Sequence, residues 1–414
     1  MISTERLTKN FASMAAIGAQ DGGVTRLAFS DADWQARDFI LELMKEAGLS
    51  VRLDAFGNLI GRREGYLPDA PSVLMGSHID SVPNGGNYDG VAGVLAAIEV
   101  ARCLQADGIK HAHGIELVVF MAEESSRFGM ATLGSKAFCG KLSGAQLEQY
   151  QDKQGVSLAA AMRQRGLAPE KIDQARYHGA IKAFLELHIE QGKVLETTGK
   201  QIGIVTGIAA PTRLRVTVTG QADHSGATPM HMRQDALTAA AEIILLIEKL
   251  AGEEGPNGTV GTTGVIKAEP GVMNVIPGRV ELGVDIRGIS ANSKKRVVEQ
   301  FKAGLDEIQR RREIATEFVT LTDEKPVEIS REIVEFLDKI AIDSGYDTLR
   351  LPSGAGHDAM HLADIAPTGM LFVPCKGGIS HNPAESADIE DIAAAAQVLL
   401  MAVIRLTQPD FVIK

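Results

Sequence analysis

The chain has 414 residues, of which 45% are hydrophobic and 23% charged, and it carries a net charge of −11. That length exceeds what one hydrophobic core usually holds, so two domains are expected, and the acidic balance argues against nucleic acid or an anionic membrane as the main partner. Cys103, Cys139 and Cys375 stand far apart with no CxxC spacing, the first residues lack a signal-peptide core, and no apolar run is long enough to span a bilayer, which together predict a soluble cytoplasmic protein.

In chain order, residues 31–50 (DADWQARDFILELMKEAGLS) place apolar side chains at three- and four-residue spacing and end at Gly48, which predicts a helix. Short strands follow at 51–54, 58–63 and 72–78. GVAGVLAAIEVARCLQADG (90–108) reads as a helix. IELVVFMAE (115–123) is a nearly continuous apolar run, the pattern of a strand buried on both faces. A further strand is expected at 182–192. Helices between such strands predict an α/β layered domain.

The composition changes after residues 206–212. A half-exposed strand (213–221), an amphipathic helix (235–255), paired strands (259–270 and 279–289), a helix with a polar face (290–314) and a strand (316–322) follow the ferredoxin-like order. An α+β unit at 212–325 inserted into a larger α/β domain, residues 1–211 and 326–414, is the simplest account. The returning segment is read as a helix (331–345), a strand (368–374) and a helix (389–407). The run Arg310–Arg312 is expected to be a solvated helix face.

Segments that end or follow these strands carry His78, Asp89, Glu123 with Glu124, His188 and His381. Open α/β sheets gather such loops at one edge. Three imidazoles and two carboxylates form a mixed nitrogen and oxygen set suited to Zn²⁺ or a similar first-row ion, and one shared carboxylate would allow two ions. Asp80, two residues beyond His78, is placed to accept a hydrogen bond from the far ring nitrogen. Of the adjacent Glu123 and Glu124, one would ligate metal and the other take a proton from water. Singly, each has a plainer reading: a His–Asp loop pair, an Asp–Gly turn at 89–90, a charged strand end, a buried structural His188 and an incidental His381.

His357-Asp-Ala-Met-His361 imitates the metalloprotease H-E-x-x-H spacing, but Asp358 replaces the required Glu and SGAG before it lets a helix only begin there. In the inserted domain, His224, Asn274 and Arg287 make a polar trio suited to an oxyanion and a carboxylate, although a surface His, a turn Asn and a strand Arg are the ordinary readings of each.

Taken together, GGVTRLAFS (22–30), GSHIDSVPNGGNYDG (76–90), AEESSRFG (122–129), GSKAF (134–138), ELHIEQG (186–192), DHSGATPM (223–230), NVIPG (274–278), SGAGHDAM (353–360) and SHNPAE (380–385) resemble the N-carbamoyl-L-amino-acid hydrolase / allantoate amidohydrolase group. That group belongs to the two-metal aminoacylase–carboxypeptidase superfamily. The resemblance implies a zinc-peptidase-like catalytic domain with a mixed central sheet flanked by helices, and an inserted domain serving as lid and dimerisation module of a homodimer. It implies two divalent ions, zinc first with manganese or cobalt as alternatives, on His78, Asp89, Glu124, His188 and His381, with Asp89 bridging.

By the same resemblance Asp80 supports His78, and Glu123 is general base and later acid. His224 polarises the scissile carbonyl and, with Asn274, reaches the partner subunit's site. Arg287 holds the substrate carboxylate, while Gln191 and His357 recognise the ureido group. The expected activity is hydrolysis of a ureido (carbamoyl) C–N bond in an N-carbamoyl-L-amino acid or allantoate-like carboxylate, releasing ammonia and carbon dioxide. The alternatives are allantoate amidohydrolase specifically, or an aminoacylase or peptidase acting on a plain amide. Ser125 departs from the glycine that the group often has after its paired acids. A non-catalytic member of the same scaffold would have lost the base or a ligand, and none is lost here.

Overall fold

The computed structural model describes residues 1–413, which divide into two compact units: residues 1–206, 329–351 and 356 onward, and residues 207–328 with 352–355. The first begins with α1 (Thr4–Ala16), where the Ser3 side chain accepts from the Arg6 N–H and Leu7, Phe11 and Met14 are buried along one stripe. β1 (Ala19–Gln20) and β2 (Gly23–Val24) pair as a small hairpin. Then come α2 (Asp31–Glu46), β3 (Ser50–Leu53), β4 (Leu59–Arg63), β5 (Ser72–His78), α3 (Val91–Ala106) and β6 (Ile115–Phe120). Three short helices, α4 (Leu133–Phe138), α5 (Gly144–Gln149) and α6 (Leu158–Gln164), precede β7 (Ile181–Ile189), α7 (Val194–Thr198) and β8 (Ile202–Ile208).

The second unit holds β9 (Ala210–Thr219), β10 (Asp223–His224), α8 (Ala236–Glu254), β11 (Thr259–Glu269), β12 (Val275–Ile276), β13 (Arg279–Gly288), α9 (Ala291–Arg312), β14 (Ala315–Asp323) and β15 (Val327–Glu328). Its four-stranded sheet has the order β11-β13-β9-β14 with every neighbouring pair antiparallel, the ferredoxin-like arrangement. Alternate residues of β9 and β13, among them Val216, Val218, Leu282 and Ile286, form a core with Ile243 and Ile247 of α8 and Phe301 and Leu305 of α9. Arg311 and Arg312 are not simply solvated: both pair with Glu242 and fasten α9 to α8.

The chain then returns through α10 (Arg331–Asp343), β16 (Thr348–Ser353), α11 (Ala359–Leu362), β17 (Thr368–Val373) and α12 (Ile389–Leu406). The main sheet runs β15-β8-β17-β7-β5-β6-β4-β3, with β16 also on β8. β17, β7, β5 and β6 are mutually parallel, whereas β8, β4 and β3 join antiparallel, so the sheet is mixed. β5, β6 and β17 are buried along their whole length, which their continuous apolar runs require. α3 and α12 pack on these strands and on each other. α3 is apolar nearly all round because it lies between the sheet and further helices. Among the described residues, no helix is long and apolar enough to cross a membrane.

Candidate metal centre

Because β5, β6, β7 and β17 are parallel, their C-terminal ends share one edge, where the titratable groups of the first unit collect. His78 ends β5, Glu123 and Glu124 follow β6, His188 is next to last in β7, and His381 lies in the β17–α12 loop. Asp89 comes from the β5–α3 loop. Gly90 in that loop has φ +66°, and a Cβ built there would lie 2.5 Å from the His78 ring. Glycine at that position is a steric requirement. Three non-glycine residues also adopt left-handed backbone at this edge: Ala122 (φ 58°), Gln191 (φ 58°) and His381 (φ 56°). Such geometry persists only where its surroundings hold it.

Asp89 is the hub of the cluster. Its Oδ1 lies 3.1 Å from His188 Nε2 and 3.6 Å from His78 Nε2, and its Oδ2 lies 3.2 Å from His381 Nε2. Glu124 Oε1 is also 3.2 Å from His381 Nε2. Glu123 Oε2 stands 3.8 Å from His78 Nε2. Two candidate ligand groups result, His78–Asp89–His188 and Asp89–Glu124–His381, each with its donor atoms within 4.8 Å of one another. A third group of the same tightness, Glu186–His188–His357, shares His188.

His78 Nδ1 faces the Asp80 main-chain oxygen at 3.1 Å, and His188 Nδ1 faces the Ile189 oxygen at 2.9 Å. A carbonyl only accepts, so both Nδ1 atoms carry hydrogen and both Nε2 atoms are left turned toward Asp89 Oδ1. His188 Nε2 also accepts from the Gly90 N–H at 3.2 Å, and an Nε2 facing a carboxylate oxygen needs positive charge between them, a proton or a cation. The expected role of the Asp80 carboxylate needs correction here. Its oxygen is 3.7 Å from His78 Nδ1, and it instead accepts the main-chain N–H groups of Glu123 (3.2 Å) and Glu124 (3.0 Å). Asp80 therefore holds His78 through its backbone and the acidic pair through its side chain.

The electrostatics agree with a site built around cations. Burial opposes charge on His78, yet Glu123, Asp89 and Asp80 lift its pKa well above the ordinary imidazole value. Burial also opposes charge on Asp89, but the imidazoles of His188, His381 and His78 around it hold it well below the usual carboxylate range. Contacts with Asp89 and Glu124 push His381 up to about 10. Burial raises Glu123 well above an ordinary carboxylate, with His78 opposing and Glu124, Asp358 and Asp80 adding to the shift. A dense set of imidazole nitrogens and carboxylate oxygens in this condition fits a divalent first-row ion.

Gln191 and His357 belong to the same neighbourhood. Gln191 Nε2 donates to Asp89 Oδ2 at 2.7 Å, while its buried Oε1 has no hydrogen-bond partner among the described residues. The His357 ring packs edge-on against His188 at 4.5 Å, and burial, then His188, depress its pKa well below the usual value. His361 serves elsewhere: its Nε2 meets Thr132 Oγ1 at 2.9 Å and its Nδ1 meets Lys141 Nζ at 3.3 Å. The H-x-x-x-H spacing thus forms no shared site, since α11 begins only at Ala359. Glu190, just past the end of β7, accepts the N–H groups of Val194 and Leu195 at the start of α7. Ser125 is not in the left-handed region, so a side chain is accommodated there without backbone strain.

His224, Asn274 and Arg287 lie in the second unit. His224 pairs with Val275 across the β10–β12 ladder, next in sequence to Asn274, and both polar side chains are exposed. His224 Nδ1 accepts from Gly226 and Ala227 N–H, which leaves hydrogen on Nε2. Arg287 pairs with Asp285 at 3.2 Å, two residues along the same strand face. Not foreseen from sequence are the buried acids Glu186 and Asp358 beside the cluster, and Ser380 and Glu385 flanking His381. The hydroxyl and the acid within SHNPAE were the available signal for the last two.

The family model described as Peptidase family M20/M25/M40 matches residues 74–405. An N-carbamoyl-L-amino acid amidohydrolase of Geobacillus stearothermophilus is 44% identical over 412 residues, covering 99% of this chain and 100% of that one. An allantoate amidohydrolase of Bacillus subtilis (strain 168) is 37% identical over 394 residues, 93% of each chain. The crystal structure of an amidase of the hydantoinase/carbamoylase family from Burkholderia multivorans matches with a TM-score of 0.89 at 37% identity, covering 98% of each chain.

Proposed function

The chain belongs to peptidase family M20/M25/M40, and on that premise we propose that it hydrolyses the ureido C–N bond of an N-carbamoyl-L-amino acid or an allantoate-like carboxylate. The observation that carries this reading is Asp89 shared between two imidazole–carboxylate groups, with the buried carboxyl of Glu123 beside them and outside both. His78, Asp89 and His188 would hold one divalent ion and Asp89, Glu124 and His381 a second, zinc first and manganese or cobalt as alternatives. Bound there, the ions would supply Lewis acidity, activating water and offsetting charge that develops on the substrate oxygen.

Glu123 takes the proton of the attacking water, a role that suits a carboxyl whose pKa burial has raised above the ordinary carboxylate value. Attack on the ureido carbon breaks its bond to the leaving nitrogen, and Glu123 returns the proton there. The carbamate that remains falls apart into ammonia and carbon dioxide. Asp80 keeps Glu123 and Glu124 in register through their N–H groups. The orphan Oε1 of Gln191 is an acceptor suited to a ureido N–H, and the buried neutral ring of His357 is a second polar partner for that group. Arg287 offers a planar fork for the substrate carboxylate and His224 an Nε2–H for the developing oxyanion, with Asn274 beside it. We assign the second unit as lid and dimerisation module of a cytoplasmic homodimer, so that His224 and Asn274 would serve the partner subunit's site.

Ammonia release from allantoate, several N-carbamoyl-L-amino acids and N-carbamoyl-β-alanine tests the reading, with metal-loaded protein and an N-acetyl amino acid as the plain-amide control. Turnover of at least one ureido substrate is expected. Faster cleavage of the plain amide, or no ammonia from any ureido compound, would overturn it.

A further inference from the structure

Glu385 is 6% exposed and belongs to neither ligand group. Its Oε1 accepts the main-chain N–H of Tyr88 (2.8 Å) and of Asp89 (3.0 Å), and its Oε2 accepts from Ser380 Oγ at 3.0 Å. A carboxylate that merely completed a turn would bind amides of its own loop. Glu385 reaches amides 296 and 297 residues away in sequence, on the loop that presents Asp89, while it sits on the loop that presents His381. The Gly86 backbone lies directly against it, since a Cβ built there would stand 2.2 Å from Glu385 Cδ and Oε1. Glycine at 86 is what lets the carboxylate enter.

Ser380 Oγ stands 3.0 Å from both Asp89 Oδ2 and Glu385 Oε2, with Gln191 Nε2 at 3.3 Å. One hydroxyl has one proton to donate. With Glu385 as the second acceptor, Ser380 can leave Asp89 Oδ2 to a cation and still make a hydrogen bond.

From this geometry we infer that Glu385 is a positioning residue that clamps the Asp89 loop to the His381 loop and so sets the spacing of the Asp89–Glu124–His381 ion site. The inference rests on the metal-binding reading of that group. Chelator-stripped full-length protein titrated with Zn²⁺ against a chromophoric competitor, and with Co²⁺ read by its visible absorption, gives stoichiometry and affinity without reference to turnover. Glu385→Ala should weaken one of the two ions by about 10- to 100-fold, the range typical of lost outer-shell support, and alter the Co²⁺ spectrum. Glu385→Gln, whose amide oxygen can still accept both N–H groups, should restore most of that affinity. Gly86→Ala, which displaces the carboxylate without removing it, should reproduce the weakening in a chain that retains Glu385. Wild-type affinities in Glu385→Ala and Gly86→Ala, or a Gln variant as weak as Ala, would overturn the clamp while leaving the ion sites intact. A wild-type protein that takes up no divalent ion would instead remove the metal reading itself, and the clamp with it.

Discussion

Glu123 and Glu124 are neighbours in sequence with different surroundings. Glu124 lies against His381 and belongs to a ligand group, whereas Glu123 sits in neither group and burial raises its pKa well above an ordinary carboxylate. Glu123→Gln preserves the shape and removes the base. Turnover is expected to fall by about 10²- to 10⁴-fold, the usual span for a general base, while dialysed protein retains its divalent ions by elemental analysis. Substantial residual turnover with full metal content would remove Glu123 from that role. Much of this was legible in residue types and their positions at strand ends, because imidazoles and carboxylates there have few cheap alternatives to a cation. The hydrogen-bond partners were not. Sequence spacing predicts that Asp80 faces His78, but whether its carboxylate or its carbonyl does so is decided by the N–H groups of Glu123 and Glu124, which arrive from another strand.

At the level of elements, His357 precedes α11 and His361 lies within it, so each has a different neighbourhood. His361 accepts from Lys141 at Nδ1 and donates to Thr132 at Nε2, so protonation would remove an acceptor and add a cation beside a lysine. Burial, then Lys136 and Lys141, depress its pKa to about 3. The unfolded chain takes up this proton below about pH 6.5, whereas the folded chain refuses it until about 3. The stability contributed is therefore complete above about pH 6.5 and is lost as pH falls between those two values, at up to about 1.4 kcal/mol per unit. Urea titrations at pH 7 and pH 5 should show the wild type losing about 1–2 kcal/mol more than His361→Gln, whose side chain does not titrate. Equal losses in the two proteins would refute a neutral His361 as the cause.

Sequence periodicity located the long helices and the buried strands, whose patterns are local. α1 escaped notice although Leu7, Phe11 and Met14 lie at helical spacing, because they occupy a mostly polar segment. α4, α5 and α6 span only six or seven residues each, too few for a period to show. The Arg310–Arg312 run does lie on a largely exposed helix face, but its partner Glu242 lies on a separate helix, and no spacing within the run reveals it.

On the scale of the whole chain, the ferredoxin-like order of the second unit could be read directly from alternation, and its sheet order is the one that topology implies. The proposed homodimer makes a prediction that neither unit alone can make. His224→Ala and Glu123→Gln chains, each inactive as a pure protein, should regain part of the wild-type activity when mixed into hybrid dimers, because one of the two sites in each hybrid would receive both an intact base and an intact His224. Demonstrated hybrids with no recovery would place His224 in its own subunit's site.

The second unit interrupts the main sheet between β8 and β17, and this fixes the order in which a nascent polypeptide can complete its parts. The ribosome delivers His78, Asp89, Glu124 and His188 first, then more than a hundred residues of a self-contained α+β unit with its own core, and only afterwards β17 and His381. During that interval the early ligands stand beside an uncovered edge of β7, because its parallel neighbour has not yet been translated. Assembly of the ion-binding apparatus thus waits for the segment that follows the insertion, and a translational pause within the insertion would prolong the half-built state without disturbing a single ligand.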